Sequence, residues 1–223
     1  MRAGIFLLLK NTAGGEPAWF PELERHCIDS IQQYDGERLD WSRYDALILT
    51  THSDQHHLME IRSRLDGYLA GGGTILFNGH VARPFLDELT PFEPLPRRGL
   101  TELVVNREAD HPVFEGVTSD MLTLRKGVAG FYGRGTNPPP DGALVLNSVS
   151  PERWPLDWIV ERPSGGRIFV HGGNDIWSFF MTGAPGNLAL VQRFFDWLAD
   201  TSRMSSAGAL AVPDERSDTY HAG

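Results

Sequence analysis

Gly71-Gly72-Gly73-Thr74-Ile75-Leu76-Phe77-Asn78-Gly79-His80 is the segment from which the architecture can be read. Three consecutive glycines let the backbone enter the left-handed conformation that side chains resist, and so end a preceding helix. Thr74 to Phe77 restarts as a strand, and Asn78-Gly79-His80 closes it in a tight turn. Upstream, Gln55 to Leu69 carries Leu58, Ile61, Leu65, Tyr68 and Leu69 on one helical face. Asp45 to Thr50 is a second buried run, and Gly4 to Leu9 is the first. Between those two, Ala18 to Gln33 places Trp19, Phe20, Leu23, Cys27, Ile28 and Ile31 near helical spacing, which predicts an amphipathic helix with Cys27 on its apolar side. Strands apolar on both faces and alternating with helices imply a parallel sheet covered on both sides, a doubly wound three-layer core.

Downstream, Val81 to Leu89 reads as helix-like, interrupted by Pro84. From about Leu100 the texture changes. Thr101 to Val105, Met121 to Leu124, Ala143 to Val149 and Leu156 to Glu161 are strand-like runs separated by turns, so this part is expected to extend the sheet in antiparallel fashion. Asn137 to Gly142 is a loop, because three prolines exclude helix and ladder donors alike. Arg167 to Val170 is the last core strand, and Asn187 to Leu198 a well-patterned closing helix. The apolar periodicity stops after Thr201. Residues 1–201 therefore read as one α/β domain, and 202–223 as a flexible tail or an arm ordered against a partner subunit. The short apolar patch Leu210-Ala211-Val212-Pro213 motivates a homo-oligomer assembled through that arm, and with it a scaffold role for the chain.

Composition removes several function classes. With 20 basic and 29 acidic residues the net charge is −9, and the basic residues are scattered, which argues against a nucleic-acid partner. No apolar stretch approaches the roughly 20 residues of a bilayer span, so no membrane partner is expected. The apolar run within Met1 to Leu9 lacks the basic and small-residue flanks of a signal peptide, and the single Cys27 can form no internal disulfide. A cytoplasmic protein is expected.

In an open α/β sheet, ligands bind outside the carboxyl ends of the parallel strands. Those ends carry Lys10-Asn11-Thr12, Thr51-His52-Ser53-Asp54, Asn78-Gly79-His80 and His171-Gly172-Gly173-Asn174-Asp175. Asn11, His52, Asp54, Asn78, Gly79, His80, His171, Asn174 and Asp175 are therefore the candidate ligand-binding residues, joined by Trp177 as a pocket-lining ring beside Asn174-Asp175. As an enzyme, the chain would be a hydrolase or isomerase using His171 or His80 as general base, with Asp175 or Asp54 orienting it or holding a metal. No cofactor is expected. His52, His80 and His171 are the candidate ligands for a divalent metal, at a spacing that is not diagnostic. Asp110-His111-Pro112 reads as a turn rather than an acid–base pair, Pro112 fixing the backbone before Val113 and Phe114 enter the core. The loop at Asn11 to Gly15 lacks both the dinucleotide and the phosphate-loop patterns.

The strand–turn step at residues 71–80 resembles the class I glutamine amidotransferase-like superfamily, and within it the ThuA-like group associated with sugar metabolism. Tyr44 to Leu49, Asp110 to Val117 and Gly166 to Val170 add to the resemblance, which spans most of residues 1–200. It implies a three-layer, flavodoxin-like sheet and a nucleophile elbow at position 78. Amidotransferases of this superfamily carry cysteine at the elbow, whereas this chain has Asn78, and an amide cannot act as a thiolate. ThuA-like proteins often carry histidine there and a Gly-His-Asp step near the end; the corresponding positions here are Asn78 and Gly173-Asn174-Asp175. The resemblance thus implies a non-glutaminase that binds a small polar ligand, with a carbohydrate derivative as the expected class.

Overall fold

The computed structural model describes residues 3–11, 23–97, 99–178 and 185–208. In chain order the strands are β1 (Ile5–Lys10), β2 (Cys27–Gln32), β3 (Ala46–Leu49), β4 (Thr74–Asn78), β5 (Glu93–Pro94), β6 (Val105–Arg107), β7 (Leu124–Arg125), β8 (Val128–Ala129), β9 (Gly135–Thr136), β10 (Leu144–Val149), β11 (Trp154–Glu161) and β12 (Arg167–His171). The helices are α1 (Gln55–Glu60), α2 (Arg62–Ala70), α3 (Ser119–Thr123) and α4 (Pro185–Gly208). The main sheet runs β2-β1-β3-β4-β12-β11-β10-β6. Its first five strands pair in parallel, and β12-β11, β11-β10 and β10-β6 pair antiparallel.

The continuous apolar runs are explained by burial on both faces. Along β1, Phe6 and Leu8 enter one core while Leu7 and Leu9 enter the other. The first core is closed by Leu190, Val191, Phe194, Phe195 and Leu198 of α4, with Val113 and Phe114 beside them. The second is closed by Leu58 of α1, Ile61 at the junction, and Leu65 and Leu69 of α2, together with Val81, Phe85, Leu86 and Leu89. Burying a Leu, Val or Phe side chain is worth roughly 1.5–3 kcal/mol, so these two layers dominate the stability of the sheet.

Several expectations are corrected. Residues 27–32 form an edge strand, not a helix, since Ile28 and Ile31 contact opposite cores when the segment lies flat against β1. Cys27 is exposed on that edge rather than buried on a helix face. Trp19 and Phe20 lie outside the described residues. The predicted helix over 81–89 is absent. Pro84 cannot donate, and the amides of Val81, Ala82 and Arg83 instead bond to the distant side chains of Asn137 and Gln55. The chain stays irregular while its apolar residues still reach the second core. Thr101–Leu103 is a short 3-10 turn, and only Val105–Arg107 joins the sheet. Residues 119–123 are helical, capped by the Thr118 hydroxyl, which accepts from the Met121 amide. The closing helix continues past Thr201 to Gly208, whereas Leu210 to Pro213 lie outside the described residues. No helix among the described residues is long and apolar enough to cross a membrane.

Candidate functional site

The carboxyl ends of β3, β4 and β12 are laced together by polar side chains. Asn78, fully buried, donates from Nδ2 to the Leu49 carbonyl at 3.1 Å and accepts from the Ile176 amide at 3.0 Å. The amide group expected at an exposed elbow is therefore spent on holding two loops, and no helix begins behind it. Gly79 adopts φ +111°, where a Cβ would meet the Thr51 backbone at 3.1 Å. Its amide donates to the His171 carbonyl at 2.9 Å, and its carbonyl accepts from Asn137 Nδ2 at 2.7 Å. Asp175 accepts from both the amide and the hydroxyl of Thr51, at 2.7 and 2.9 Å.

Beneath these loops a row of polar side chains crosses five strands in register. Arg107 of β6 faces Asn147 of β10, which faces Asp157 of β11, which faces His171 of β12, which faces Asn78 of β4. Residues directly opposite in a ladder share a face and interact. His171 Nδ1 lies 2.5 Å from Asp157 Oδ1. The other oxygen, Oδ2, accepts from the Tyr132 hydroxyl at 2.7 Å and from Asn147 Nδ2. His171 and Asp157 are both fully buried. A carboxylate oxygen facing Nδ1 selects the tautomer with its proton on Nδ1, and in that neutral tautomer Nε2 is the acceptor. Nε2 has no hydrogen-bond partner among the described residues. Gly173 lies over it, where a Cβ would come 2.8 Å from Nε2 and 1.8 Å from the Tyr132 carbonyl oxygen, so this loop can close over the histidine only with glycine there.

Around this pair the strand ends carry groups in electrostatic reach of one another. Burial, opposed by the Thr51 hydrogen bonds and by His52 and His171, raises the Asp175 carboxyl above its ordinary value. Burial, with a further contribution from His171, lowers the His80 imidazole. His80 stacks on Phe92 with ring centroids 3.5 Å apart while keeping an exposed edge. The Tyr132 hydroxyl is pushed well up by burial and by Asp157, so it stays a donor. His52, His80, His171 and Asp175 thus gather at one end of the sheet, with an aromatic face beside them.

Other predicted residues have different work. Asp54 is the N-cap of α1, accepting from the His56 and His57 amides and from the Tyr34 hydroxyl, which lowers its pKa; it does not orient His171. Asn11 bonds the same Tyr34 hydroxyl. Asn174 is exposed and reaches the Phe131 carbonyl at 3.5 Å. Trp177, 8% exposed, packs in the first core. Among the described residues no group of three or more His, Cys, Asp or Glu side chains is arranged to hold a metal ion, and Nδ1 of His171 is already engaged by Asp157.

Asp157, Tyr132, Asn147 and Asn137 were not foreseen. The signal for Asp157 was present: it is the single charge inside the apolar run Leu156-Asp157-Trp158-Ile159-Val160, and a carboxylate is carried into a core only with partners. Antiparallel register with the following strand then selects His171. Tyr132 and the two asparagines come from loops and strands whose placement no local pattern specifies.

No family model and no curated protein matches this chain. Among solved structures it is similar to the "mmIFT52 N-terminal domain", at 16% identity and a TM-score of 0.45, over 78% of this chain and 85% of that one.

Proposed function

We propose that the chain is a non-glutaminase of the amidotransferase-like fold that binds a small polar ligand, a carbohydrate derivative, over the carboxyl ends of β3, β4 and β12. The single observation behind this reading is the gathering of His52, His80, His171 and Asp175 at that end of the sheet. Donors, acceptors and the Phe92–His80 stack in one place are what recognition of a sugar ring uses. The parallel strands follow one another across the sheet in the order second, first, third, fourth, fifth, which is the flavodoxin-like order and supports that layering. In such sheets the ligand sits at the carboxyl edge. The test is NMR of the histidine rings during titration with glucose, N-acetylglucosamine and glucuronate, each to about 10 mM, enough to populate a millimolar site. The His52 and His80 resonances are expected to move with at least one of the three. If all three leave them in place, the reading falls.

A second reading has its own support. Asp157 and His171 form an oriented carboxylate–imidazole pair with Nε2 unclaimed, the arrangement of a general base in a hydrolase or isomerase. Asp157 takes the orienting role first given to Asp175 or Asp54. Opening of the Gly173 loop would bring Nε2 to a bound substrate. Turnover that disappears in His171→Gln while ligand titrations stay unchanged would select this reading over simple binding.

A further inference from the structure

Arg107, the last residue of β6, turns its guanidinium under the segment 110–119. Nη2 donates to the Val117 carbonyl at 3.2 Å, and the guanidinium carbon sits 4.4 Å from the Phe114 ring centroid. Neither partner carries a negative charge. Nη1 is buried without a hydrogen-bond partner among the described residues. Asp157 and Asp110 act on this cation only through space, and the oxygens of Asp157 are taken by His171, Tyr132 and Asn147. A half-buried guanidinium in this state is costly unless an oxyanion satisfies it.

Arg107 is among the residues that line a cleft of about 710 Å³, a size that suits a small molecule. Pro112, Phe114 and Val117 give the cleft an apolar wall. At Gly116 (φ +69°) a Cβ would meet nothing within 4 Å, so the wall is open there. His111 also borders the cleft; its Nδ1 accepts from the Val113 amide at 3.3 Å, which leaves its second nitrogen as a donor. Two carboxylates, Asp110 and Glu115, complete the rim.

We propose that this cleft binds a small monocarboxylate with an apolar body, the carboxylate pairing with the Arg107 guanidinium and the body lying against Pro112, Phe114 and Val117. The planar fork of arginine matches a carboxylate. The two rim carboxylates repel a phosphate dianion more strongly than a monoanion, which decides between the two oxyanions. This site does not depend on the reading of the strand-end site.

Calorimetric titration of the full chain with benzoate, phenyl phosphate and benzyl alcohol tests the assignment. Benzoate is expected to bind and to shift the Arg107 side-chain nitrogen signals, with benzyl alcohol at least roughly tenfold weaker and phenyl phosphate weaker than benzoate. Glu115→Gln, an exposed rim change, should tighten benzoate about two- to threefold, and Arg107→Gln should weaken it roughly tenfold or more. Absence of benzoate binding overturns the proposal. So does benzyl alcohol binding as well as benzoate, phenyl phosphate binding more tightly, or a Glu115→Gln variant that fails to bind more tightly. Should Arg107→Gln not fold, the wild-type nitrogen shifts and Glu115→Gln decide.

Discussion

His26 is held at both ring nitrogens. Nδ1 accepts from the Gly4 amide at 2.9 Å, and Nε2 lies 3.2 Å from Asp196 Oδ1, which also receives Arg25. Only the neutral ring with its proton on Nε2 satisfies both contacts, because a proton on Nδ1 would face the Gly4 N–H. Burial first, and then Arg25, lower the pKa below 6.5 against the pull of Asp196. The unfolded chain therefore takes up this proton before the folded one does, so the contribution is intact above 6.5 and is lost as pH falls through the depressed folded value. His80 and His111, lowered mainly by burial, act in the same direction. Asp175 acts oppositely at lower pH: its raised folded pKa means the folded state gains stability as pH falls from that value toward 3.8. The urea midpoint is expected to drop between about pH 7 and pH 5, and the drop should be smaller in His26→Gln, whose amide oxygen can still accept from Gly4. Equal slopes for the two proteins would remove His26 from this account.

At the scale of the element, α4 closes the first core. Phe194 is fully buried and meets Phe169 edge-on at 4.9 Å, while Phe195 meets Phe6 at 5.4 Å. Phe194→Ala should cost about 3–5 kcal/mol in chemical denaturation, and a loss near half a kcal/mol would mean the helix is not seated as described. This helix was legible because Leu188, Leu190, Val191, Phe194, Phe195 and Leu198 keep their period over three turns. β1, β3, β4, β10, β11 and β12 were legible as apolar runs for the same reason. β2 was not: its apolar residues fit a helical stripe as well as a strand in contact with both cores, and only pairing with β1 decides between them. Residues 81–89 failed for a different cause, since their amides are taken by side chains 25 or more residues away. The polar character of the strand ends was legible in the sequence, whereas the contacts of Asn78 with the Leu49 carbonyl and the Ile176 amide, which make it an internal tie, were not.

At the scale of the whole molecule, the row Arg107–Asn147–Asp157–His171–Asn78 crosses from the antiparallel strands into the parallel ones, and Asp157 is its electrostatic centre. Each oxygen of Asp157 receives a donor from another segment: β12 through His171, β10 through Asn147, and the 130–134 loop through Tyr132. Asp157→Asn keeps the shape, removes the charge that acts on Arg107 through space, and turns an acceptor into a donor toward His171 or Tyr132. The hydrogen bonds from His171 and Tyr132 lose their charged acceptor and one of these donors is left facing another donor, so the expected loss is about 1–3 kcal/mol. If the new amide nitrogen faces His171, the imidazole must accept at Nδ1 and its proton moves to Nε2, a change visible in its nitrogen chemical shifts. Asp175→Asn is the control at the same end of the sheet. Its amide oxygen can keep both Thr51 bonds, and the burial cost that raises this carboxyl is relieved, so its stability should stay within about 1 kcal/mol of wild type. Equal losses in the two variants would show that burial alone, and not position in the row, sets the cost; a large loss confined to Asp157 identifies the row as what joins the two halves of the sheet.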